Sequence, residues 1–334
     1  MQQGDLPGAR QDLEQASHLD GKNAYVWAAL AEVYLRSGQQ ALAAGAAKKA
    51  EENGRDNPIV CHALALYYAD AKQPRTAAQL EAVFAASAQA DPAAATRAAQ
   101  WYLESGDVED GLPLAKKSAA RDRDMAFAWA QVLLRQENFT AAAELVNTSL
   151  ESFPNDAQLK LALGVARYGQ RRFEEAIQTF LSVIKIDSTI EQPYLFIGRM
   201  LDQAGSHLTE IIGDCEAWAR ANPQNARAQL ELAKALAAQD SGNSRSEALL
   251  RRSIELDPSN WEAHYELGAL LESRHQFAPA AEELRRAVVL NPKDPSPHYH
   301  LARVYDRLGD REKAAAERKL HQDLTAPANS GREF

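Results

Sequence analysis

A chain of 334 residues that is 46% hydrophobic, 25% charged and 7% aromatic has enough apolar material for a folded core, and too much for a disordered chain. Its net charge of −9, with lysines and arginines interspersed among acids, argues against a nucleic-acid partner and against direct membrane insertion. Cys61 and Cys215 make neither a disulfide framework nor a metal motif, no apolar run has the length of a membrane span, and the opening MQQGDLPGAR lacks the apolar segment of a signal peptide.

Ala, Leu, Glu, Gln and Arg dominate over Val, Ile and Thr, which biases the whole chain to helix. The first predicted element is a lone helix, LPGARQDLEQASHLD, from Leu6 to Asp20. The second, AYVWAALAEVYLRSG from Ala24 to Gly38, places Leu30 and Tyr34 on one face. A short turn follows, then another helix that starts near a small residue. This pair recurs, with units starting near 24, 58, 92, 123, 157, 191, 226, 261 and 295. A shift of 34 residues carries Leu30-Ala31 onto Leu64-Ala65, Ala142 onto Ala176, His264 onto His298 and Ala280 onto Ala314.

Small residues at 31, 65, 164, 233, 268 and 302 let the two helices of a unit approach closely, as do Ala43, Ala77, Ala142, Ala176, Ala280 and Ala314 on the second helix. Pro154, Pro223, Pro258 and Pro292 close second helices, where a residue without an N–H cannot continue the ladder. Pro193 and Pro297 sit in first turns, where proline costs little. The half unit at the start predicts that the natural chain extends upstream of Met1, and residues 326–334 are expected to be flexible. Two joints are irregular: Gly111 and Pro113 in the unit from 92, and Gly205 and Gly213 in the unit from 191, followed by a long turn over Gln239–Ser246. Such residues weaken a helix by about 1 kcal/mol per Gly and about 3 per interior Pro, and read either as drift in a tolerant array or as a bend that widens a groove.

These residues resemble the tetratricopeptide repeat family, whose pattern sets Trp, Leu-Gly, Tyr, a small residue, an aromatic, Ala and Pro at fixed offsets. Trp27, Leu30, Ala31, Tyr34, Ala43 and Ala50 match it in the first full unit, and Leu267, Gly268, Ala280, Ala287 and Pro292 in the eighth. The resemblance covers nearly the whole chain. It implies an all-α, right-handed superhelix of about nine helix-turn-helix repeats plus a half repeat, forming a single domain over residues 1–325. It also implies a concave groove that holds a protein or peptide.

No catalytic chemistry is legible. Gly21-Lys22 lacks the glycine and hydroxyl residue of a phosphate loop, and HExxH, CxxC and a nucleophile elbow are missing. His298 and His300 are two residues apart on a helix and point to different faces. His264, His298 and Cys61 share the place of the family's Trp and read as packing residues. The pairs Glu174-Glu175 and Glu282-Glu283 complement helix N-termini. The Asn-x-Ser/Thr matches at Asn138 and Asn147 read as chance. No cofactor, no metal and no enzyme activity is expected.

In this architecture the first helices line the groove. Their inward residues are Phe127, Gln131 and Leu134, then Leu161, Val165 and Tyr168, then Leu195, Phe196 and Arg199. Further on come Arg227, Glu231 and Lys234, then Tyr265, Glu266 and Glu272, then Tyr299, Arg303 and Asp306. The middle set is apolar and aromatic, and reads either as packing between neighbouring helices or as the floor of a peptide site, where aromatics and Arg dominate. The family's clamp for a C-terminal carboxylate uses Lys, Asn and Arg; Ala28, Glu32, His62 and Leu66 stand at those places in the first units, so that clamp is not expected. The function implied is a non-catalytic interaction scaffold. The alternatives are an accessory lobe of an enzyme or secretion complex, and a self-associating spacer. Location is cytoplasmic for the chain as it stands, and periplasmic or secreted if an upstream signal has been removed.

Overall fold

The computed structural model describes residues 5–91 and 93–326. Every regular element among them is helical. The segment expected to be flexible lies, but for Ala326, outside the described residues. The chain divides into two compact units, residues 1–172 and 173–334, and each is described by itself.

The first unit holds α1 (Leu6–Leu19), α2 (Ala24–Arg36), α3 (Gln40–Gly54), α4 (Pro58–Asp70), α5 (Pro74–Ala85), α6 (Ala94–Glu104), α7 (Val108–Ala119), α8 (Arg123–Arg135), α9 (Phe139–Ser152) and α10 (Ala157–Gly169). The second holds α11 (Phe173–Ile186), α12 (Gln192–Gly198), α13 (Leu208–Ala221), α14 (Ala226–Gln239), α15 (Ser244–Leu256), α16 (Trp261–Ser273), α17 (Phe277–Leu290), α18 (Pro295–Leu308) and α19 (Arg311–Thr325). Successive helices pair as hairpins, as in α2 on α3, α4 on α5, α14 on α15, α16 on α17 and α18 on α19. First helices also touch along the unit: α2 meets α4 and α8 meets α10, and in the second unit α12 meets α14 and α16 meets α18.

All first helices but α6 and α12 start on a side-chain cap. Asn23, Asn57, Asp122, Asp156, Asn225, Asn260 and Asp294 each accept a hydrogen bond from a backbone N–H of the first turn. Seven of the first helices, α14 and α12 excepted, end in a left-handed residue that turns the chain back. Gly38, Gly106 and Gly309 hold this place with φ near 80°, and Lys72, Glu137, Arg171 and His275 hold it with φ from 56° to 62°. The next N–H then reaches back to a carbonyl of the last turn, as in Gln39 to Tyr34, Gln73 to Tyr68 and Asn138 to Leu133, each 2.9 Å.

The small residues are where the hairpins close. Ala31, Ala43, Ala65, Ala77, Ala233, Ala280 and Ala314 have no exposed surface, and Ala302 has almost none. A Cβ on Gly268 would stand 2.6 Å from Leu284 Cγ, so only glycine lets α16 approach α17 there. Gly111 has the same role. It occupies the place of Ala43 and Ala77 one repeat on, and a Cβ there would meet Tyr102 Cβ at 2.8 Å. The third repeat is therefore regular where its glycine and proline predict a weak second helix: α7 runs through both Gly111 and Pro113.

Gly205 is likewise regular, with φ +49° at the usual turn place of its repeat. The break in that repeat lies earlier. The α12 helix ends at Gly198, after seven residues, and two 3-10 turns, Leu201–Gln203 and Gly205–His207, carry the chain to α13.

Ala280→Leu must push α16 from α17 and lowers the free energy of unfolding by about 1–3 kcal/mol in urea titrations. Glu137→Gly relieves a strained φ of 56° on an exposed residue and raises it by about 0.5–1 kcal/mol in the same assay.

Candidate interaction surface

In the first unit, α8 carries Phe127, Gln131 and Leu134, and α10 carries Leu161, Val165 and Tyr168. Gln131 is exposed and the other five are half-buried. Phe127 and Leu134 pack at the edge of the core built by Trp129, Leu133, Leu145 and Leu163. The Arg123 guanidinium lies 5.4 Å from the Phe127 ring and is held in place by Asp156, whose Oδ2 accepts from its Nε at 2.7 Å. That pairing holds the Asp156 carboxyl below the usual range despite the opposing effect of burial.

In the second unit, Leu195, Phe196 and Arg199 come from α12 and the residue after it. Phe196 stacks on Phe180 with ring centroids 5.0 Å apart, and Arg199 lies 5.9 Å from the Phe196 ring. Arg227 is exposed at the start of α14. Leu195, Arg199 and Arg227 line one pocket of about 370 Å³ together with Leu230, Glu231, Trp261 and Glu262. The remaining candidates divide into two networks, except Asp306, which pairs with Arg318.

The first network is buried. Lys234 Nζ donates to Glu262 Oε1 at 2.7 Å and stands 3.3 Å from Glu231 Oε2, off the line of a hydrogen bond. Helical projection turns Lys234 towards a ligand, yet its ammonium is held by these neighbours with 7% of the side chain exposed. Burial pushes the Glu231 carboxyl up to about 7 against the pull of Lys234, and burial pushes Glu266 up to about 7 as well. Glu231 reaches its position because residue 198 is glycine: a Cβ there would stand 1.8 Å from Oε2.

The second network joins α16 to α18. His300 Nδ1 donates to Glu272 at 2.6 Å, Arg303 Nε forms an ion pair with the same carboxylate at 3.1 Å, and His300 Nε2 lies 3.4 Å from the Tyr265 hydroxyl. The Arg303 guanidinium also lies 5.6 Å from the Tyr299 ring, which is 47% exposed. Tyr265, Tyr299 and Arg303 thus form one surface.

His264, His298 and Cys61 are buried, as packing residues should be, and they also make polar bonds. His264 Nδ1 pairs with Glu283 and His298 Nδ1 with Glu317, each at 2.6 Å and across one hairpin. Trp27 Nε1, Cys61 Sγ, Tyr194 Oη and His264 Nε2 each meet the backbone oxygen six residues earlier, that of Gly21, Arg55, Ser188 and Pro258, at 2.9 to 3.3 Å. In these four repeats the same place of the first helix carries a polar hydrogen that ties down the loop before it. Only the shared position of these four unlike residues signals this in the sequence. Among the described residues no cluster of three His, Cys, Asp or Glu side chains could hold a metal, and no helix is long and apolar enough to cross a membrane.

The pattern of the tetratricopeptide repeat family matches residues 1–58, 127–189 and 240–295, more than half of the chain. With hairpins of this geometry, the chain belongs to that family. Comparison with curated proteins gives no match. Similar solved structures include Pseudomonas aeruginosa PilF, at 16% identity and TM-score 0.48, which aligns with 63% of this chain and 93% of its own. TTC0263, a tetratricopeptide protein of Thermus thermophilus, aligns at 18% identity and TM-score 0.45 over 52% of this chain and 93% of its own. MamA of Desulfovibrio magneticus aligns at 18% identity and TM-score 0.37 over 62% and 97%.

The Glu231 carboxyl gives the second unit a pH dependence. Its folded pKa lies above that of an unfolded glutamate, so the folded state binds the extra proton between about pH 4.3 and the folded value. Stability from this group is greatest below that window and falls as pH rises through it. Melting is therefore lower at about pH 8 than at about pH 5.5, and Glu231→Gln narrows the gap by about 2–4 °C in thermal scans at the two pH values.

Proposed function

We propose that the chain is a non-catalytic scaffold whose first helices hold a protein or peptide segment. The observation that carries this reading is the make-up of the first-helix faces. Beside buried alanines and leucines they keep half-buried Phe127, Leu161, Val165 and Tyr168 in the first unit. In the second they keep half-buried Leu195, Phe196 and Tyr265 with exposed Arg199, Arg227, Tyr299 and Arg303. Aromatic and arginine side chains of this kind desolvate large areas at low entropic cost, which is what recognition of an extended segment needs. Membership of a family whose members bind proteins or peptides supports it. Nothing in the site suggests chemistry: the one hydroxyl–imidazole–carboxylate series, Tyr265–His300–Glu272, carries a phenol whose pKa burial raises to about 12, the wrong direction for a nucleophile.

The test is a paired capture from host lysate. One bait is the chain itself and the other carries Phe127→Glu, Tyr168→Glu and Tyr299→Glu, shown by circular dichroism to be folded. A partner held by the first and lost by the second is the expected result. A partner held equally by both removes the first-helix faces from the reading.

A further inference from the structure

Neighbouring first helices bring the later residues of one beside the opening residues of the next. In α14 and α16 this juxtaposition joins Lys234 to Glu262 at 2.7 Å, an attractive pair. A shift of 35 residues, the distance from Ala226 to Trp261, carries Lys234 onto Arg199 and Glu262 onto Arg227. Where the later repeat sets opposite charges together, the earlier one sets two cations.

Neither arginine has an acidic partner among the described residues. Arg199 has only the Phe196 ring below it, and only the backbone of Arg227 is hydrogen-bonded, to the Asn225 cap. Both are exposed and both line the pocket of about 370 Å³. The acids of the same pocket are engaged elsewhere. Glu262 is held by Lys234, Asp257 accepts from the Ser259 N–H and hydroxyl, and Glu231 is 2% exposed beneath Gly198. Two guanidinium groups that line one pocket, neither paired with any of its acids, repel each other, and an anion between them reverses the sign. The guanidinium fork fits a carboxylate with two parallel hydrogen bonds. Asp257 and Glu262 in the walls repel a doubly charged phosphate more than a singly charged carboxylate, and Leu195, Leu230 and Trp261 add apolar surface beside the two cations.

We propose that Arg199 and Arg227 form a receptor for a side-chain carboxylate of the bound segment, with apolar neighbours of that residue seated on Leu195, Leu230 and Trp261. The proposal rests on the peptide-binding reading above and names the chemistry of the peptide. It differs from a clamp for a chain end, because the anion comes from within the segment.

The experiment uses the full chain and fluorescein-labelled octapeptide mixtures, amidated at the C-terminus, each with two adjacent positions fixed. Binding is read by fluorescence polarisation against the wild type and the double variant Arg199→Gln/Arg227→Gln. Both substitutions lie on exposed side chains, and circular dichroism confirms that the variant is folded. Mixtures fixed as Glu or Asp beside Leu bind most tightly to the wild type, weaken with added salt, and lose about tenfold or more in the variant. Equal binding of Gln and Glu mixtures, tighter binding of phosphoserine mixtures, or an unchanged affinity in the variant overturns the carboxylate receptor and leaves peptide binding standing. If no mixture binds the wild type, the peptide reading and the receptor fall together.

Discussion

Two helices can lie no nearer than the side chains between them permit, and everything else in this chain follows from making that distance short. Ala31 with Ala43, Ala65 with Ala77, and Gly268 with Ala280 reduce the contact to methyl groups or hydrogens, and all are buried. With so thin a seam, the larger residues Leu30, Leu64, Leu267 and Leu301, fully or almost fully buried, fill the space to either side. A hairpin built this way has too little apolar surface inside it to be stable alone, so its outer faces must be covered by the next. Away from this seam the first helices keep half-buried and exposed side chains, among them Phe127, Arg199, Tyr299 and Arg303.

The broken repeat shows what happens when the seam is put to another use. Gly198 stands at the small-residue place of its first helix, the place of Gly268 two repeats later. Instead of admitting a partner helix, the missing side chain admits the Glu231 carboxylate. Helix α12 stops there, and Arg199, immediately after the stop, turns towards the pocket that Arg227 also lines. The proton affinity of Glu231, the unequal charge of neighbouring repeats and the interrupted helix share one location.

Much of this is legible in the residues. The period, the alanines of the seam and the capping Asn and Asp residues specify hairpins locally, because each acts within a few residues of itself. The turn is legible where it holds Gly38, Gly106 or Gly309, and hidden where Lys72, Glu137, Arg171 or His275 takes the same left-handed conformation; these four are exposed, and backbone bonds across the turn accompany a conformation that such residues do not prefer. Gly111 and Gly205 look like faults when a glycine is weighed by helix propensity alone, and regular when it is weighed by its place in the repeat. Helical periodicity names candidate groove positions, and the state of each side chain is not legible from it. Lys234 faces inward and is buried, because its partner Glu262 belongs to the next repeat and no local rule joins them.

The tie from a first helix to the preceding loop, made in four of the repeats, has a consequence for how such a chain changes over time. An indole, a thiol, a phenol and an imidazole all perform it, on carbonyls at the same remove. The polar hydrogen can come from any side chain of suitable reach, and the repeats with Ala95 and Ala126 at that place pack without it. A repeat that alters its residue there still mates with its neighbours, much as pipes of different metal share a thread. Units can therefore be duplicated, exchanged and diverged without renegotiating the connection, and variation is left to accumulate on the faces that meet other molecules.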